Sequence, residues 1–206
     1  MPKIWRALFE GIKRCSHKAA FVYLPMLNFK AIKKKSMKSK NIFILTIILI
    51  AASLRVSGML PFNFSPVAAI ALFAGAMFTN RMLAFAAPLV IMLLSDLFLG
   101  FHDTMWAVYL SLVFVVGIGQ VVRQRFSFVN GLVGALAGSV VFFLITNAAV
   151  WMVGGLYAPG LAGLLESYTA GLPFYRNSLM GDLIFTTAFF GVYSLATSRF
   201  PKLANA

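Results

Sequence analysis

Four of the five acidic residues in the chain, Asp96, Asp103, Glu166 and Asp182, fall within or beside long apolar runs. A charge at the centre of a bilayer costs about 2.5–3.5 kcal/mol on insertion scales, so each of these groups needs a partner or water. At about 1.5 Å per residue, Arg55 lies roughly 7 Å below the outer end of the first run, Asp96 roughly 6 Å below the outer end of the third, and Asp182 roughly 6 Å inside the sixth. Three charges on three segments thus share one depth. Either they form a structural ion pair, Arg55 with Asp96 or with Asp182, or they belong to a ligand site; in both cases they face inward.

Other polar side chains gather near the same face. Asn147 and Trp151 are four apart and share one helical face. Trp151 alone reads as an interfacial anchor, and Asn147 alone as a helix-to-helix hydrogen bond. His102 and Asp103 stand at the outer mouth, and two such residues do not make a metal site. Residues 154–177 form a long outer connection, which suggests a lid or a re-entrant element. Within it Leu161–Tyr168 reads as a short amphipathic helix, and Gly171-Leu172-Pro173 reads as its end. Tyr157, Tyr168, Phe174 and Tyr175, with Glu166, Arg176 and Asn177, are placed to cap an outward pocket; the alternative is an interfacial helix resting on lipid. The chain contains no nucleotide-binding glycine loop, HExxH, CxxC or GxSxG motif and no nucleophile–base spacing, so no catalytic residue, cofactor or metal is assigned.

The elements that must position these groups follow from composition. Of 206 residues, 61% are hydrophobic and only 11% charged, against about 25% charged in soluble domains. The net charge of +13 does not indicate nucleic acid, because eleven of the eighteen Lys and Arg lie in residues 1–40. That stretch reads as a basic cytoplasmic flank beside anionic headgroups. Its first part, with Ile4, Trp5, Leu8, Phe9 and Ile12 set against Lys3, Arg6, Lys13 and Arg14, has the pattern of a surface helix. Residues 1–36 read as a dispensable extension or an upstream start-site choice, with Met37 an ordinary start. Cys15 lies in this flank, so no internal disulfide forms.

Six hydrophobic segments follow: Asn41–Leu60, Val67–Phe78, Met82–Gly100, Met105–Val122, Phe128–Val153 and Ser178–Thr197. Spanning takes about 20 apolar residues, and the second segment is short. With the basic N-terminus inside, Arg81, Arg123, Arg125, Arg199 and Lys202 also fall inside, and Arg176 alone is basic in the outer connections. The positive-inside rule therefore places both termini in the cytoplasm. Gly131, Ala135 and Ser139, the adjacent Gly134 and Gly138, and Ala71 with Gly75 form small-residue rows for close helix packing or a homodimer seam. The organisation expected is a cytoplasmic extension over 1–40, a transmembrane domain over 41–199 and a cytoplasmic tail over 200–206.

Four strings carry a resemblance: Pro61-Phe-Asn63-Phe-Ser-Pro66 with the Ala-rich run after it, Leu93-Leu-Ser95-Asp96-Leu-Phe-Leu-Gly100-Phe-His102, Phe142-Phe-Leu-Ile-Thr146-Asn147-Ala-Ala-Val-Trp151, and Leu172-Pro173-Phe-Tyr-Arg176-Asn177-Ser-Leu-Met-Gly181-Asp182. Over about residues 41–199 they look like a family of small bacterial six-span membrane proteins. That family is similar to the S-components of energy-coupling-factor (ECF) transporters, which bind vitamins and other micronutrients. The resemblance implies an all-α six-helix bundle with an outward site capped by the first, third and fifth loops. The ligand-binding residues expected there are Arg55, Asn63, Asp96, His102, Asn147, Trp151, Tyr157, Glu166, Arg176, Asn177 and Asp182.

The leading expectation is an inner-membrane substrate-binding protein for uptake of a small micronutrient such as a vitamin, and not an enzyme. Its partners are membrane lipids, the small-molecule ligand, and an ECF coupling module or a second copy of the chain, with no nucleic acid. Segment one lacks a clean small-xxx-small row of the kind S-components use for docking, so a solitary transporter stays open. Two readings from other classes compete. One is a membrane enzyme acting on lipid or isoprenoid through Asp96, His102 and Asp182; the other is a scaffold without a ligand.

Overall fold

The computed structural model describes residues 39–200. The surface-helix pattern near the N-terminus, the Met37 start and the C-terminal tail lie outside the described residues. Six helices occur among the described residues: α1 (Ser39–Val56), α2 (Val67–Met77), α3 (Arg81–Leu99), α4 (Met105–Gln124), α5 (Phe128–Val153) and α6 (Leu161–Arg199). Local sequence sets several ends. Asn80 accepts a hydrogen bond from the Met82 N–H at 2.9 Å, and Ser127 accepts one from Asn130 N–H at 3.0 Å, the usual N-cap chemistry. Gly100, at φ 94°, closes α3 in a backbone region that glycine enters without strain.

Five of these helices are long and apolar enough to cross a membrane. Large apolar side chains such as Phe98, Leu97 and Val90 stand exposed on their outer faces, while Ser95, Asp96, Ser111, Ser139, Asp182 and Thr186 are buried. A surface that is apolar around polar interior groups suits lipid as the solvent. Short connections between successive helices gather one set of helix ends around Arg55 and the opposite set around Arg123.

The sixth helix, α2, is the exception. Its eleven residues rise about 16 Å at 1.5 Å per residue, roughly half of the 30 Å hydrocarbon core. It packs against all the other helices, and every residue from Ala68 to Met77 is buried. A helix apolar on all sides belongs at the centre of a bundle. Small residues let its neighbours come close. A Cβ on Gly75 would press on the Val116 carbonyl oxygen, and one on Gly119 would press on the Leu72 carbonyl oxygen. Backbone therefore lies on backbone where α2 crosses α4. On the opposite flank Phe73 packs at ring distances of 5.7, 5.5 and 6.1 Å from Phe189, Phe190 and Tyr193 of α6.

The small-residue row of α5 is likewise used inside the chain. Gly134 faces Val122 and Leu72, Gly138 faces Val115, and Gly131 faces the Phe190 ring.

One expectation is corrected here. Residues 154–177 are not a long connection holding a separate short helix. The connection is residues 154–160, and α6 runs unbroken through Gly171-Leu172-Pro173. Gly171 serves close approach instead of termination, because a Cβ there would strike Asn147 Oδ1 and the Phe143 ring. Pro173 costs one helical hydrogen bond, that to the Thr169 carbonyl, and the helix absorbs it. At 39 residues, α6 is about 58 Å long, far more than the hydrocarbon core requires. Its first turns pack along α5, where Ser167 is buried and donates to the Asn147 carbonyl.

Candidate functional site

The Arg55 end of the bundle holds a polar cluster built from three helices. Arg55 on α1 reaches α3, where its Nη2 meets Asp96 Oδ1 at 3.0 Å. Its Nη1 donates to Ser95 Oγ at 2.6 Å and lies against Met92 Sδ. Ser95 in turn donates to the Met92 carbonyl at 2.8 Å. From α4, the Tyr109 hydroxyl donates to Asp96 Oδ2 at 3.0 Å. Both carboxylate oxygens of Asp96 are thus engaged, and the side chain is only 2% exposed. The order i, i+3, i+4 of Met92, Ser95 and Asp96 puts all three on one face of α3 toward Arg55.

Asp182 sits elsewhere. Its carboxylate accepts from Ser139 on α5 and from the backbone N–H of Ala69. Ala69 is the third residue of α2, so its N–H is one of the donors that a helix start leaves unsatisfied. Pro66, the residue before α2, supplies no side-chain cap. Asp182 thus caps α2 from another helix. At the other end of α2, Arg123 Nη1 donates to the Phe78 carbonyl at 2.9 Å. An anion at the N-terminus and a cation at the C-terminus both match the helix macrodipole, each worth about 0.3–1 kcal/mol and more when partly buried.

Because α2 starts partway through the bundle, space remains above it. A cavity of about 570 Å³ occupies that space, within the roughly 300–1,000 Å³ typical of small-molecule sites. Arg55, Asn63, His102 and Asp182 line it, together with Ser65, Ser178 and the aromatic rings of Phe62, Phe64 and Phe142. The loop from α1 to α2 forms one wall, with Asn63 in the left-handed region at φ 59°. Two hydrogen bonds tie that loop to α6: Asn177 Nδ2 to the Phe62 carbonyl at 3.2 Å and Ser178 Oγ to the Asn63 carbonyl at 3.0 Å.

The structure brings some of the expected site residues together and separates others. Arg55, Asn63, His102 and Asp182 share the cavity, and Asp96 stands behind Arg55. Asn177 supports the wall from outside. Asn147 and Trp151 serve a different contact, where α5 passes through residues 154–160 into α6. Asn147 Nδ2 donates within α5 to the Phe143 carbonyl at 2.9 Å, the Asn147 carbonyl accepts from Ser167 Oγ of α6 at 2.9 Å, and Trp151 Nε1 donates to the Ala158 carbonyl of the connection at 3.1 Å. Tyr157, Glu166 and Arg176 do not line the cavity, and Glu166 and Arg176 are exposed. The groups that sequence reasoning passed over are Ser65, Tyr109, Ser139 and Thr186. A hydroxyl in an apolar helix or in a loop, as at Ser65, is common, and only the packing shows that these four turn toward the carboxylates or the cavity.

By the length and composition of its helices, with polar groups turned inward, the chain is a helical membrane protein. Residues 35–203 match the model of DUF6580, a family of unknown function, and the chain belongs to that family. No curated protein and no solved structure matches it.

Proposed function

We propose that the chain is a multi-pass protein of the cytoplasmic membrane that binds a small micronutrient, such as a vitamin, for uptake. Both termini lie in the cytoplasm, and the Arg55 end faces outward. The observation that carries this reading is the cavity of about 570 Å³ above the start of α2, lined by converging polar groups on apolar walls. The similarity of this six-span family to ECF S-components, in size, helix number and topology, belongs to the same proposal, as does an energy-coupling partner. Distribution of charge supports the orientation: Arg81, Arg123, Arg125 and Arg199 cluster at one end, as cytoplasmic flanks do.

Two measurements test this. In a Cys15→Ser background, Thr104→Cys is expected to react with an impermeant thiol reagent added outside intact cells, and Gln124→Cys is not. Reversed labelling would overturn the orientation. Purified protein is then challenged with a panel of vitamins while its melting temperature is followed. A ligand at one hundred times its Kd adds about 2.7 kcal/mol to the folded state, and at least one member is expected to give such a shift. A broad panel that moves nothing removes the uptake reading and leaves the polar cluster as scaffold.

A further inference from the structure

The two buried carboxylates at the Arg55 end differ in one respect. Asp96 has a full countercharge in Arg55 and a second donor in Tyr109. Asp182, 5% exposed, has neutral donors only, Ser139 and the Ala69 N–H. Among the described residues no Lys, Arg or His side chain pairs with it. Among the described residues Arg55 is the one Lys or Arg on the cavity wall, which also holds His102, and it is committed to Asp96. The charges of Arg55 and Asp96 cancel, and Asp182, in its ionised form, is answered only by the partial positive charge of the α2 N-terminus, about half a unit, so a bound cation would be what holds it ionised.

The surroundings of Asp182 show the same deficit of partners. Two buried hydroxyl oxygens have none: Ser65 Oγ, on a residue that lines the cavity, and Thr186 Oγ1. Thr186 is 1% exposed and stands one helical turn from Asp182, facing the same narrow void beside Ala68 and Ala69. Of the two, Ser65 Oγ is on the cavity side, with lone pairs to offer an N–H donor that enters it. Three phenyl rings, Phe62, Phe64 and Phe142, line the cavity, Phe62 at its exposed edge, and ring faces attract ammonium groups.

We propose that the cavity takes a small organic cation whose positive charge pairs with Asp182 while its apolar body lies among Phe62, Phe64 and Phe142. The inference rests on the binding reading above and narrows its ligand to one charge class.

The test uses the full chain in detergent and three probes of matched size: phenethylammonium, 2-phenylethanol and 3-phenylpropionate. Each is titrated at constant ionic strength over potassium chloride while the melting temperature is read. Phenethylammonium is expected to act at concentrations at least tenfold below the neutral and anionic probes. Asp182→Asn, which keeps an acceptor for the Ala69 N–H, is expected to lose that preference. Phe142→Leu leaves the α2 cap untouched and is expected to weaken the cationic probe several-fold more than the neutral one, so the result does not depend on the Asn variant folding. Equal action of all three probes, or a preference that survives in Asp182→Asn, overturns the proposal. So does stabilisation by sodium chloride in place of potassium chloride without any organic probe, which would assign the carboxylate to an inorganic ion. Neutral or anionic ligands that bind without a cation preference leave the uptake reading standing, whereas no shift from these probes or from the vitamin panel removes both.

Discussion

Replacing Arg55 with leucine is expected to lower the stability of the purified protein by at most about 3–5 kcal/mol. That is the loss when one member of a fully buried pair is removed, and the Arg55 side chain is 18% exposed. The guanidinium bridges α1 to α3 through Ser95 and Asp96, and its removal leaves Asp96, 2% exposed, with Tyr109 alone. Much of that loss is the stranded carboxylate and not the lost attraction. The double variant Arg55→Leu/Asp96→Leu is therefore expected to recover most of it. Arg55→Leu/Asp182→Leu is expected to recover nothing and to lose more, since it also uncaps α2. Denaturation followed by intrinsic fluorescence in detergent reads all four proteins. Rescue by the Asp182 double variant and not by the Asp96 one would show that the pairing is wrong.

The second large effect concerns the crossing of α2 and α4. Gly75→Ala or Gly119→Ala each forces a methyl group against a carbonyl oxygen of the facing backbone. Overpacking a close-fitted interior costs about 1–3 kcal/mol when side chains can yield. Here the obstacle is main chain in the central helix, so a loss at or above the top of that range is expected, read as lower yield and melting temperature. Gly117→Ala is the internal control. Its added methyl meets open space, and alanine is favoured over glycine in a helix by about 1 kcal/mol, so this variant is expected to be neutral or more stable. Equal tolerance of all three substitutions would mean that the helices do not cross as described.

How far these features are legible in the sequence depends on the physical signal behind each. Apolar run length places helix ends well where charged or polar residues bound the run. Phe128–Val153 is the same in both readings, and α3 begins at Arg81 where the apolar run expects Met82. The pairing of Arg55 with Asp96 was one of two options, because depth gives the layer but not the azimuth of each side chain. Failure came where one residue type serves two purposes. Gly171 and Pro173 mark helix ends in most contexts, and here they lie inside α6 because Asn147 and Phe143 crowd the backbone at Gly171. A local pattern cannot distinguish a glycine that lets the chain turn from one that lets a neighbour approach. The same ambiguity holds for Asn147, which reads either as a ligand contact or as a helix contact, and which packs against α6 at Gly171 and Ser167. Ser65 and Thr186 carry no pattern at all, Ser139 reads only as one of a small-residue row, and the role of all three rests on contacts distant in sequence.

The charged groups at the two ends of α2 also constrain the order of assembly. A chain emerges N-terminus first, so α2 is made long before the residues that satisfy its ends. Arg123 follows on α4, and Asp182 arrives only with α6. Until then the first N–H groups of an eleven-residue helix have no partner, and the helix is too short to reach water on both sides. The second segment therefore has no stable place in the bilayer during most of synthesis. A chain truncated before residue 182 is therefore expected to leave the second segment without the group that caps its start.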